Sequence, residues 1–153
     1  MIPFRKVELE TSGSLYLHSM PGKEEPLAEC FQALEETSVD RIICLNRQDE
    51  LDEKSPDYAK AIADGTLPCE HIHFPIGNFG VPEDREAFLT LAKEFAEQLK
   101  AGKNILVHCA GGVGRTGTLA SCITTALNKP LSLVTAAGGK AETDQQRELI
   151  ASL

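Results

Sequence analysis

NILVHCAGGVGRTGT, Asn104 to Thr118, sets an apolar run against a cluster of very small residues and then an arginine. Ile105, Leu106 and Val107 make the short, branched, apolar run of a strand buried on both faces. Ala110 to Gly114 carry little side chain, and four of the chain's 12 glycines fall between Gly111 and Gly117. Helix-compatible residues resume near Arg115 and run to about Leu127. Strand, small-residue loop and helix form a unit of a parallel α/β sheet, where ligands sit beyond the carboxyl ends of the strands. Cys109 stands at such an end.

Small residues let backbone N–H groups curl inward around a bound anion. The helix after the loop points its positive end into the same cup. Arg115 adds a planar fork matched to two phosphate oxygens. A cysteine on the floor of that cup is favoured as thiolate. Cys109 therefore reads as a nucleophile in line with a tetrahedral oxyanion, with Ala110, Gly111, Gly112, Val113, Gly114 and Arg115 as the phosphate-binding residues. The bland alternative is a loop made only for packing; the joint occurrence of strand, His-Cys, five small residues, Arg-Thr and helix speaks against it. No Gly-Lys-Ser/Thr comes after the glycines, so the loop is not a Walker A motif. A nucleophile on the floor does not suit a dinucleotide fingerprint.

Outward from the loop the pattern alternates. SLYLHSM reads as a strand, and Leu27, Cys30, Phe31 and Leu34 space an amphipathic helix from Pro26 to about Thr37. RIICL suits a buried parallel strand. Ser55-Pro56 is a cap followed by a first-turn proline, with Gly65 as the stop. EHIHFPI is a third strand and NILVHC the fourth. Pro82 to Lys100 is the clearest helix: Phe88, Leu91, Phe95 and Leu99 share a stripe, Glu83 and Asp84 fill the first turn, and Gly102 ends it. Pro130 and Gly138-Gly139 punctuate the chain beyond Leu127, and Thr143 can cap a last short helix. The expected architecture is a single α/β domain over residues 1–153, with a mainly parallel central sheet flanked by helices.

Composition narrows the function. The net charge is -8 with no Lys/Arg block, which argues against nucleic-acid or anionic-membrane partners. No apolar run approaches the ~18–20 residues of a membrane span, and no signal pattern opens the chain. Five cysteines at irregular spacings, without a CxxC pair, fit neither a secreted disulfide framework nor a structural zinc site. A reducing, cytoplasmic setting is expected.

HCAGGVGRT, His108 to Thr116, resembles the His-Cys-x5-Arg-Ser/Thr signature of the cysteine-dependent protein tyrosine and dual-specificity phosphatases. The resemblance covers nearly the whole chain. SGSLYLHSMPG looks like the family's first strand, His71 to Asp84 like its general-acid loop, and AETDQQRELI like its trailing Thr-x-x-Gln segment. The outline is most like the kinase-associated phosphatase branch and its bacterial relatives. The resemblance implies the cysteine phosphate-loop fold of the phosphatases. By it, Cys109 attacks phosphorus, Arg115 grips the phosphoryl oxygens and Thr116 hydrogen-bonds the sulfur. His108 supports the loop from behind and Gln146 helps place the water. It implies no metal and no organic cofactor. The expected substrate is a phosphorylated protein or a small phosphomonoester, met by a monomeric catalytic core.

The general acid departs from this pattern. The family places an Asp after Pro-Ile-x or Pro, but Pro75-Ile76-Gly77 is followed by Asn78. An amide cannot donate a proton as a carboxylic acid does, and losing a general acid costs about 10²–10⁴ in rate. Three readings stay open. Asp84 or Glu83 replaces the acid, although a helix N-terminus favours the ionised carboxylate. Alternatively the enzyme is slow and depends on its leaving group. In the third, the protein is a phosphate-binding pseudophosphatase.

Other residues have plainer readings. His71 and His73 face one side of a strand and read as structural rather than metal-binding. Cys44, near the end of RIICL, could approach Cys109 and form a protective disulfide, against the commoner role of a small apolar residue. Asp49 to Glu53 reads as a solvated acidic loop, and Arg47 beside it could touch substrate. No lysine lies inside the cysteine loop, which favours a monophosphoester over a polyphosphorylated lipid.

Overall fold

Ile105–His108 forms the middle strand of a five-stranded sheet in the computed structural model, which describes residues 3–153. In chain order the elements are β1 (Arg5–Val7), β2 (Leu15–His18), α1 (Leu27–Glu36), β3 (Arg41–Cys44), α2 (Gln48–Lys54) and α3 (Pro56–Asp64). The second half adds β4 (Glu70–His73), α4 (Arg85–Lys100), β5 (Ile105–His108), α5 (Gly114–Ala126), α6 (Ser132–Ala136) and α7 (Asp144–Ala151). The sheet order is β1-β2-β5-β3-β4, parallel throughout except for β1, which runs antiparallel to β2. This is the mainly parallel, helix-flanked α/β architecture expected.

Register places the site. His18 and Cys44 both align with His108, and His73 aligns with Cys44, so four strands end along one edge. Cys109 leaves that edge at its centre. Alternation along β5 sends Ile105 and Val107 to one face, packed with Phe88, Phe95 and Leu99 of α4 and Leu119 and Ile123 of α5. Leu106 goes to the other face with Ile42, Cys44, Cys30, Leu51 and Tyr58. Strands buried on both faces need the apolar runs seen in the sequence. Eleven of the thirteen α5 residues are buried. Two of its threonines satisfy their hydroxyls by bonding back one turn, Thr118 Oγ1 to Gly114 O and Thr124 Oγ1 to Ala120 O, both 2.7 Å.

Several expectations need correction. NILVHC is the fifth strand, because the three-residue β1 is too short and too charged to stand out as alternation. The Asp49–Glu53 run is helical, within α2. Helix α4 begins at Arg85 rather than Pro82. Asp84 is its N-cap, its carboxylate accepting from Ala87 N at 2.9 Å, so Glu83 and Asp84 precede the first turn. Ser55 holds the N-cap position of α3, but its hydroxyl donates to Pro21 O at 2.7 Å instead of capping. Gly65 ends that helix at φ 68°, and Thr143 caps α7. α6 is an element the punctuation around Pro130 and Gly138 concealed.

Candidate active site

The loop from Cys109 to Val113 is shaped by what binds its carbonyls. Met20 N donates to Ala110 O (3.1 Å), and Arg5 Nη2 donates to Gly112 O (2.8 Å). Gly117 N and Lys140 N both donate to Val113 O, at 2.8 and 3.1 Å. Gly112 has φ 76°, and a Cβ there would meet Arg5 Nη2 at 2.5 Å and His18 O at 2.6 Å, so only glycine fits. With those carbonyls engaged by the surrounding protein, the N–H groups of Gly111, Val113, Gly114, Arg115 and Thr116 find no acceptor among the described residues. The last three are the unsatisfied first-turn donors of α5. Five free donors beside one helix N-terminus are what a tetrahedral anion requires.

Cys109 is 3% exposed, and its sulfur accepts from Gly112 N at 3.3 Å. Behind it His108 is fully buried. Its Nδ1 lies 3.3 Å from Cys109 O and its Nε2 2.6 Å from Tyr58 Oη. A carbonyl only accepts, so the proton sits on Nδ1 and Tyr58 donates to Nε2. Burial holds this ring neutral, its pKa pulled down to about 3. Burial pushes the thiols of Cys30, Cys44 and Cys122 up to about 12, which removes them as nucleophiles near neutral pH. All five cysteines are free. Cys44 packs in the cluster with Leu106 and Tyr58 while Cys109 belongs to the cluster with Val107, so Cys44 has the surroundings of a small apolar residue.

Arg115 is 2% exposed and gripped by Glu50 of α2. Nη1 donates to Glu50 Oε1 (2.6 Å) and Ile76 O (2.7 Å), and Nη2 donates to Glu50 Oε2 (2.8 Å). Three of the five guanidinium N–H bonds are thereby used. One on Nη2 and the one on Nε remain, the pair that can fork two phosphoryl oxygens. Burial works against the Arg115 charge, but Glu50 and then Cys109 outweigh it and raise its pKa. Burial likewise works to raise the Glu50 carboxyl; hydrogen bonds from Arg115, Arg47 N and Asn46 hold it below its usual value. Thr116 Oγ1 is buried without a partner, so the bond to sulfur expected of it is not made.

The loop that begins at Ile76 carries the acid question. Asn78 and Phe79 form the tip of a turn closed by Gly80 N donating to Gly77 O at 2.8 Å. Asn78 is exposed, and Phe79 is 56% exposed at φ 61°. Beside them lies a cleft of about 630 Å³ lined by Arg47, His73, Phe74, Ile76, Glu83 and Asp84, among others. Gln146 is fully buried. It accepts from Glu142 N at 2.7 Å and donates to Gly80 O at 3.0 Å, so both ends of its amide are engaged.

Sequence reasoning missed Glu50, Arg5 and Tyr58. Glu50 was one carboxylate among four in an acidic run, and nothing local marked it. His71 and His73 lie with ring centroids 6.0 Å apart; His73 Nε2 reaches Asn46 O at 2.6 Å. Among the described residues, the donor atoms that cluster at metal-ligand spacing are instead those of His18, Glu25 and Cys30, within 4.8 Å of one another. His18 there is hydrogen-bonded to Glu25.

Known proteins resemble this chain in sequence and in fold. Residues 11–151 match the family described as Swiss Army Knife protein, DSP-PTPase phosphatase domain. A stretch of 54 residues is 39% identical to protein 067L of Invertebrate iridescent virus 3, which bears a tyrosine phosphatase name; it spans 33% of this chain and 22% of the viral protein. Among solved structures, kinase associated phosphatase with serine in place of its catalytic-site cysteine superposes with TM-score 0.78 at 19% identity, covering 97% of this chain and 92% of that one. The active form of Tk-PTP gives TM-score 0.64 at 22% identity, covering 100% and 97%. Human tyrosine phosphatase-like serine/threonine/tyrosine-interacting protein gives 0.71 at 15%, covering 99% and 95%.

Proposed function

Because this chain belongs to the DSP-PTPase phosphatase domain family named for the Swiss Army Knife proteins, we propose that it hydrolyses phosphomonoesters, phosphotyrosine in proteins foremost, through a phosphocysteine on Cys109. One observation carries this: five backbone N–H groups without acceptors beside the Cys109 sulfur, with Arg115 held in place by Glu50. In the first step the sulfur attacks phosphorus while those amides and the two free Arg115 N–H bonds bind the equatorial oxygens. In the second step water displaces sulfur and phosphate leaves. Thr116, with its unpaired hydroxyl, serves the departing thiolate; His108 positions the Cys109 carbonyl. Phosphoserine and phosphothreonine are poorer substrates, because their alkoxides need the proton Asn78 cannot give. We place the protein in the cytoplasm as a monomer acting on phosphoproteins.

The test is hydrolysis of aryl phosphates across a range of leaving-group pKa. The expected result is a steep fall in kcat/KM as the leaving group becomes more basic, with activity abolished in Cys109→Ser. A flat dependence, or activity that survives Cys109→Ser, contradicts the proposal. The second reading is a phosphate-recognition module with little turnover, and Asn78 is what favours it. A structural neighbour is itself named as phosphatase-like and interacting.

A further inference from the structure

Glu142 carries no mark in the sequence, yet it rests on the cysteine loop. A Cβ built on Gly114 would lie 2.1 Å from Glu142 Oε1, so the carboxylate rests directly against the Cα of Gly114. Gly114 opens α5, next to the acceptor-free N–H groups of Arg115 and Thr116. A Cβ on Gly117 would sit 2.2 Å from Lys140 N. Glycines at 114 and 117 therefore admit the segment from Gly139 to Glu142 against the first turn of α5.

Two bonds fix the segment from the other side. Glu142 N donates to Gln146 Oε1 at 2.7 Å, and Gln146 Nε2 donates to Gly80 O at 3.0 Å. Gly80 is two residues from Asn78. Glu142 is thus bracketed between the phosphate loop and the loop that lacks its acid. Its own carboxylate makes no hydrogen bond among the described residues, and the residue is exposed. A carboxylate beside an anion site repels the bound phosphoryl group. Its presence is useful where it can take up a proton.

We propose that Glu142 is the general base for the second half of the reaction, an inference that rests on the phosphocysteine reading. Water attacks the phosphorus of phosphocysteine as its proton passes to the Glu142 carboxylate. The new O–P bond forms, the S–P bond breaks and its electron pair returns to Cys109 as thiolate. The Glu142 carboxyl then loses its proton to solvent as phosphate leaves. Glu142 so fills the base half of the role left open by Asn78, while the first step still depends on the leaving group.

The experiment compares the parent, Glu142→Gln and Glu142→Ala by rapid mixing with para-nitrophenyl phosphate. Glu142→Gln is expected to release a first equivalent of nitrophenolate as fast as the parent. Its later turnover falls about 10²-fold or more, the usual weight of a general base, and phosphocysteine accumulates. Added formate restores turnover in Glu142→Ala, where it can occupy the vacated space, and not in Glu142→Gln. A purely structural role would slow the burst and the steady state together and would not respond to formate, which overturns the proposal. Equal turnover in parent and Glu142→Gln overturns it as well, with the phosphatase reading intact. A parent that releases no nitrophenolate and forms no adduct overturns both.

Discussion

At the residue scale the site is a set of charges held by unlike means. Arg115 is positioned by a carboxylate from another element and by Ile76 O, which together leave two of its N–H bonds unengaged. Glu50→Gln keeps the shape and removes the charge. It leaves Arg115 buried without its counter-ion, a loss in the range of about 3–5 kcal/mol for a broken buried pair; we expect a drop in denaturation midpoint together with a raised KM for aryl phosphates. An unchanged midpoint would show that the pair does not hold the arginine. Asn78 is a simpler test. Asn78→Asp should raise kcat for phosphates with basic leaving groups, by up to about 10²-fold if the turn brings the new carboxyl to the leaving oxygen. No gain would mean that the turn at Asn78 does not approach the leaving group.

His108 gives a pH prediction at the same scale. Its folded pKa, about 3, lies below the ordinary value of 6.5. Between those values the unfolded chain binds one more proton than the folded one, so stability is complete above about pH 6.5 and falls as the pH drops towards 3. One proton corresponds to a slope of about 1.4 kcal/mol per pH unit. Urea titrations at pH 7, 6 and 5 should show the decline, and His108→Gln should flatten it. An equal decline in the variant would assign the effect to other groups.

At the element scale, what was legible depended on how local the signal was. The cysteine loop and α5 lie within one short stretch, where small residues, cysteine and arginine stand together. α4, with apolar residues at helical spacing and an acidic start, was equally plain; only its first turn was misplaced, because Asp84 caps from outside the helix. α2 was hidden. Its seven residues hold one buried apolar side chain, Leu51, too little for periodicity to show. Glu50 could not be picked out, because its partner is 65 positions away. Arg5 is 107 positions from the carbonyl it holds. Such contacts come from sheet order, which no window of sequence contains. Gly112 tests the loop as an element. At φ 76° and with His18 O 2.6 Å from a built Cβ, Gly112→Ala should cost about 1–3 kcal/mol and weaken phosphate binding. A variant as stable and active as the parent would mean the loop tolerates another shape.

At the scale of the whole molecule, a parallel sheet with its central strand ending in Cys109 explains why the rest of the chain converges there. β2, β3 and β4 finish on the same edge, and the segments leaving them supply Met20 N, Glu50 and Ile76 O to the loop and its arginine. Alternation of strands and helices was enough to foresee this layout and the place of Cys109 at a strand end. It was not enough to foresee the edge strand β1 or the packing of residues 139–142 on α5. No helix among the described residues is long and apolar enough to cross a membrane. If the loop binds a tetrahedral oxyanion, tungstate at 100 times its dissociation constant should stabilise the fold by about 2.7 kcal/mol, read as a higher melting temperature. The shift should vanish in Arg115→Ala.

Phosphocysteine formation is decided by the mass of the protein quenched in acid milliseconds after mixing with para-nitrophenyl phosphate. One added phosphoryl group is expected, mapped by fragmentation to Cys109 and absent from Cys109→Ser. Phosphate released with no adduct ever detected on Cys109, or an adduct mapped to another residue, would refute nucleophilic catalysis by this cysteine.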